Sequence, residues 1–147
     1  MPAASDLFTP QEQDQIIQAI QKAESLTSGE IRIHVEDYCR HDPLLRAEEI
    51  FLKIGMHKTR ARNGVLIYIA ARDKKLAIVG DKGINDLVGS DFWNEEKQLL
   101  IEHFKNGKYA EGVIKVIGII GEELKKYFPH QKSDTNELSD DISFSKK

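Results

Sequence analysis

The sequence is poor in the features that mark most secreted, membrane-spanning and nucleic-acid-binding proteins. Cys39 is the only cysteine. No intrachain disulfide can form, and a single thiol suits a reducing compartment. The longest apolar stretches, near Val65–Ala71 and Val113–Ile120, fall far short of the roughly 18–20 residues that cross a bilayer. Met1–Thr9 carries neither a basic n-region nor an apolar h-region, so no signal peptide or membrane anchor is expected, and a cytoplasmic location is. An excess of positive charge is missing too: 21 basic against 24 acidic side chains give a net charge of −3. Phosphate neutralisation needs a clustered basic face. The nearest approach to one, Lys58, Arg60 and Arg62, reads as solvated loop charge, so no nucleic-acid partner is expected.

What is present suits one domain with a true core: 147 residues, 40% of them hydrophobic. Thr9-Pro10-Gln11-Glu12 opens a helix, with threonine as cap, proline preset for the first turn and Glu12 able to close a capping box. Ile16, Ala19, Ile20 and Ala23 continue it to about Leu26 at helical spacing. From Glu30 to Glu36, Ile31, Ile33 and Val35 alternate with Arg32, His34 and Glu36. That pattern predicts a strand with one face in the core and His34 on the outer, solvent-facing side. Asp42-Pro43 starts a second helix through Leu44, Ala47, Ile50, Phe51 and Ile54, which Gly55 ends. Val65–Ala71 is apolar on both faces, as in a central strand covered on each side. Arg72–Lys75 turns the chain into an antiparallel strand, Leu76–Gly80.

Asp81–Asp91 is polar and glycine-bearing, which predicts a long loop with a short helical turn near Ile84–Val88. A helix follows from about Asp91 to Lys105. Another spans Tyr109–Tyr127, with apolar residues around more than half its girth, as deep burial requires. The packed domain is expected over 9–128, and a disordered tail rich in Ser, Asp and Lys over 129–147. Strand, helix, strand demands a right-handed crossover, so the first two strands are parallel and the third returns antiparallel. The fold class is α/β: a three-layer α/β/α sandwich around a small mixed sheet.

Four segments in this order resemble the TPM domain family: Ser28-Gly29-Glu30-Ile31, Asn63-Gly64-Val65-Leu66-Ile67, Ile78-Val79-Gly80-Asp81-Lys82-Gly83-Ile84, and Phe104-Lys105-Asn106-Gly107-Lys108-Tyr109-Ala110-Glu111-Gly112. The likeness covers about Thr9 to Phe128. Each string alone is weak; their order between elements of the right type carries the resemblance. It implies an α/β/α sandwich and, as in several members, binding of calcium or another divalent ion. One branch is linked to an acid phosphatase activity. With no signal peptide or membrane anchor expected, this chain is expected to differ from extracytoplasmic members of the family.

Topology gives those motifs a reason to meet. With two parallel strands and an antiparallel third, Glu30, Asn63 and Asp81 come to one rim of the sheet, and the following loop adds Asp86 and Asp91. Clustered carboxylates repel unless a cation compensates, and hard oxygen ligands favour Ca²⁺ or Mg²⁺. The expected metal set is therefore Asp81, Glu30, Asp86, Asp91 and Asn63, with Asp81 foremost. The bland roles are a helix cap for Asp91, a turn acceptor for Asp81 and a solvated strand start for Glu30. No histidine shows metal-ligand spacing, Cys39 has no signature partner, and no catalytic residue stands out. Three functions follow as expectations: a monomeric cation-binding or regulatory module that recognises a protein or membrane partner, a metal-assisted phosphatase acting on phosphomonoesters, or a structural scaffold whose acidic loop is solvated.

Overall fold

The computed structural model describes residues 1–89, 91–130 and 140–145. A capping box starts α1 (Pro10–Glu24): the Thr9 hydroxyl accepts from the Glu12 amide at 3.1 Å, while the Glu12 carboxylate accepts from the Thr9 amide at 2.9 Å. The chain continues as β1 (Glu30–Glu36), α2 (Pro43–Lys53), β2 (Gly64–Ala70), β3 (Lys75–Gly80), α3 (Lys82–Val88), α4 (Asn94–Lys105), α5 (Tyr109–Tyr127) and a short β4 (Ser143–Phe144). The sheet order is β3-β2-β1-β4. As the crossover rule requires, β1 runs parallel to β2, with Glu30 beside Gly64; β3 returns antiparallel, with Val65 beside Gly80.

Two apolar layers sandwich the sheet. Ile31, Ile33, Val35, Val65, Ile67 and Ile69 pack with α1, α4 and α5 through Ile16, Ile20, Leu100, Val113, Val116 and Ile120. The opposite pleats, Leu66, Tyr68, Ala70 and Ala77, pack on α2 through Ala47, Ile50 and Phe51. All 7 residues of β2 are buried, which is why its sequence shows no alternation.

Three glycines of the recognised motifs are fixed by close approach. A Cβ on Gly83 would lie 2.1 Å from the Ala61 carbonyl oxygen and 2.5 Å from that of Arg62. One on Gly112 would meet His103 at 2.6 Å, and one on Gly80 would meet the Trp93 indole nitrogen at 2.8 Å. Such positions admit only hydrogen, because the interior has no slack for a methyl group.

The structure departs from the sequence reading in three places. Residues 82–88 form a full α-helix rather than a loop with one turn, because Asp81 caps it, accepting from the Lys82 amide at 2.7 Å, and Ile84 is buried beneath it. The segment read as a disordered tail is in part ordered. Pro129 bridges to Thr27, and Ser143–Phe144 pairs in parallel with His34–Val35. The rest of that expectation, 131–139 and 146–147, lies outside the described residues. His34 is also not solvent-facing: it is only 3% exposed. The covering strand β4 comes from residues with too little apolar content to announce a strand.

Candidate functional site

The rim that topology predicted exists, but its side chains sort into different partnerships. The backbones meet there: the Glu30 amide donates to the Asn63 carbonyl at 3.4 Å and the Asp81 amide to that of Gly64 at 2.9 Å. Asp81 is buried and accepts a forked pair from Arg62, at 2.7 Å from Nε and 2.9 Å from Nη2. Together with its cap on α3, this ties the 60–63 loop to the helix. Asn63 donates to the Ser28 hydroxyl at 3.3 Å. Asp86 and Asp91 are exposed. Of the five expected ligands, only Glu30 stands in a carboxylate cluster that could hold a metal ion, among the described residues.

That cluster is Glu24, Glu30 and Asp140, whose ligand oxygens all lie within 4.8 Å of one another. Each comes from an element end. Glu24 closes α1, Glu30 opens β1, and Asp140 precedes β4. Glu24 also accepts from the Ile31 amide at 2.9 Å, closing the outer edge of β1 at that point. Burial is the main force pushing the Glu24 carboxyl far above the usual range; its bond with Asp140 and the charge of Glu30 add to that, and the Ile31 amide only partly opposes it. One oxygen of Asp140 is buried with no hydrogen-bond partner among the described residues. Three hard carboxylates, one with a raised pKa and one with an oxygen that has no hydrogen-bond partner among the described residues, fit a Ca²⁺ or Mg²⁺ ion chemically.

Sequence reasoning missed Glu24 and Asp140. Glu24 had a signal: it continues the Ile16, Ile20 row at spacing of four, on the buried stripe of α1. Asp140 had none, since only the tertiary position of β4 brings it there. Arg32 was passed over too. It lies one pleat along β1 from Glu30, on the same face, and its Nε is buried with no hydrogen-bond partner among the described residues.

A second polar cluster fills the other end of β1. Glu36 accepts from Arg46 Nε at 2.8 Å and Nη2 at 2.9 Å, from the Ser145 hydroxyl at 2.7 Å, and from the Tyr68 hydroxyl. Burial alone would raise its pKa, but these donors together outweigh burial and hold the carboxyl down at about 2. His34 stacks on Tyr68 with ring centroids 6.2 Å apart. Burial pushes its pKa down, and Glu36 only partly offsets that. Cys39 is buried, with its thiol donating to the His41 carbonyl at 3.3 Å. Among the described residues, no helix is long and apolar enough to cross a membrane.

Comparison with known proteins agrees with this architecture. A family model described as TPM domain matches residues 3–123. The solution structure of the BA42 protein from the psychrophilic bacterium Bizionia argentinensis is 43% identical. The match covers 94% of this chain and 95% of that one, with a TM-score of 0.87. The N-terminal domain of a protein from P. gingivalis is 14% identical over 85% of this chain and 82% of that one, with a TM-score of 0.68, a likeness of fold alone. No curated protein matches.

Proposed function

This chain belongs to the TPM domain family, and from that premise we propose that it is a divalent-cation-binding module whose ion sits between Glu24, Glu30 and Asp140. The observation that carries the reading is the convergence of three carboxylates with ligand oxygens within 4.8 Å. At neutral pH such a group repels itself unless a proton or a cation stands among the oxygens. Burial and the neighbouring carboxylates, which raise the Glu24 pKa, favour a proton there when no ion is bound. Ca²⁺ or Mg²⁺ would replace it, with water completing the shell. Because the ligands must be deprotonated, binding releases a proton and tightens as pH rises. Asp81, with its fork to Arg62, acts in this reading as a brace that holds the 60–63 loop and not as a ligand. A protein partner fits the reading: an ion joining α1, β1 and the start of β4 would stiffen one end of the sheet and alter the surface there.

Isothermal calorimetry with CaCl₂ and MgCl₂ tests it. Saturable binding by the intact chain should weaken at least about 30-fold in Glu30→Gln, by loss of one charged ligand of three, which corresponds to about 2 kcal/mol. Unchanged affinity in Glu30→Gln, or no saturable heat with either ion, contradicts the reading.

A second reading, metal-assisted hydrolysis of phosphomonoesters, is favoured by one observation. The Nε of Arg32, buried and without a hydrogen-bond partner among the described residues, lies near Glu30, where a guanidinium could steady a phosphoryl oxygen bound to the ion. Arg62 is less suited to that task, because its fork is turned onto Asp81. Cation-dependent turnover of p-nitrophenyl phosphate that is lost in Arg32→Gln would support hydrolysis. Equal rates in both chains would dismiss it.

A further inference from the structure

The outer edge of β1 is covered unevenly. Glu24 takes the Ile31 amide at 2.9 Å, and β4 pairs only with His34 and Val35, followed by the Ser145 amide donating to the Val35 carbonyl at 3.2 Å. An edge strand of this kind is a ready template for another extended chain.

The way β4 is held is specific and mostly polar. His34 Nδ1 lies 2.9 Å from the Ser143 hydroxyl, and Nε2 lies 2.7 Å from that of Ser145. Ser145 gives its proton to Glu36 at 2.7 Å, so it must accept from His34 Nε2–H. That leaves Nδ1 as the acceptor for the Ser143 proton. Two hydroxyls two residues apart thus satisfy both ring nitrogens and one carboxylate oxygen. Between them Phe144 is 39% exposed, while Ile142 packs on the core and is only partly buried. None of residues 142–145 is fully buried, so the apolar hold on the segment is partial.

The receiving side does not depend on it. Glu36 is clamped by Arg46 and Tyr68, and His34 is stacked on Tyr68. These come from β1, α2 and β2, so the polar socket stays formed when the segment leaves.

We propose that the outer edge of β1 is a strand-addition site for extended peptides with hydroxyl side chains two residues apart, and that Ile142–Ser145 is its occupant in cis. The partner is an unfolded or extended protein segment lying parallel to β1, with Ser or Thr facing His34 and Glu36 and any side chain between them facing solvent. Main-chain bonds supply affinity and the two hydroxyls supply selectivity, as in other β-augmentation sites. This inference goes beyond cation binding; an ion held by Asp140 would pin the start of β4 in place, so the test is made without one.

A tethered segment competes at an effective concentration of about millimolar, so the cis strand must be weakened for an added peptide to be seen. The test uses the full-length chain and its Ser143→Ala/Ser145→Ala variant, both in EDTA. Each is titrated with the hexapeptide Asp-Asp-Ile-Ser-Phe-Ser while the ¹⁵N resonances of His34, Val35 and Glu36 are followed. The variant should show saturable shifts confined to β1 and Arg46, at a peptide concentration at least about tenfold below that needed by the unaltered chain. A peptide with both serines replaced by alanine should bind at least about tenfold more weakly. Absence of saturable shifts in the variant, with its spectrum otherwise native, overturns the proposal. So does equal binding of the alanine peptide.

Discussion

Replacing Gly83 with alanine is expected to destabilise the protein by about 3 kcal/mol, the upper end of overpacking costs. The added methyl would stand 2.1 and 2.5 Å from the carbonyl oxygens of Ala61 and Arg62. Those are backbone atoms and cannot swing aside as a side chain end can. Relief requires α3 to lift from the 61–62 loop. Lifting it strains the Gly83 amide's bond to the Arg62 carbonyl, at 2.8 Å, and the fork between Arg62 and Asp81. Thermal unfolding reads the effect as a drop of about 10 °C for a domain of this size. Gly118→Ala is the control, since a Cβ there meets nothing within 4 Å. In the middle of α5 that change should stabilise by about 0.5–1 kcal/mol. Equal behaviour of the two variants would show that the packing between α3 and the 61–62 loop is wrongly described.

Glu36→Gln should cost a similar amount, about 3 kcal/mol at neutral pH. Four donors converge on Glu36, from Arg46, Tyr68 and Ser145, and glutamine would turn an NH₂ toward at least one of them. Breaking a buried pair costs about 3–5 kcal/mol; the lower figure applies because the Arg46 side chain is 29% exposed. The pH dependence follows from the depressed carboxyl. Its pKa falls from 4.5 to about 2 on folding, so the folded chain binds fewer protons than the unfolded one between those values. The stabilisation from the Glu36 charge is therefore complete above about pH 4.5 and lost as pH falls toward 2. Urea unfolding at several pH values should show the gap between wild type and Glu36→Gln wide at pH 7 and nearly closed at pH 2. A gap that stays constant would mean that Glu36 does not carry its charge into that network.

How far these features were legible follows from what each depends on. The helices other than α3, the parallel crossover and the hairpin are written locally, in Thr9 and Pro10, in the alternation of Ile31, Ile33 and Val35, and in the unbroken apolar run at Val65. The meeting of Glu30, Asn63 and Asp81 at one rim followed from strand direction alone. Where their side chains turn did not, because Arg62 reaches Asp81 from a loop where it sits at a φ of 52°, a conformation no sequence pattern announces. The cluster of Glu24, Glu30 and Asp140 depends on β4, held by serine hydroxyls and not by an apolar stripe, so a search for hydrophobic period passes over it. His34 illustrates the same limit. Alternation placed it correctly opposite Ile33 and Val35, but the far face is covered by α2 and β4 and is not wet.

The most direct measurement for the cation site is a titration of ¹³C,¹⁵N-labelled protein with CaCl₂ and MgCl₂, following the side-chain carboxyl carbons. Saturable shifts centred on Glu24, Glu30 and Asp140, with Asp81, Asp86 and Asp91 little moved, are the predicted result. Saturable shifts confined to Asp81, Asp86 and Asp91, or none at all, would contradict it.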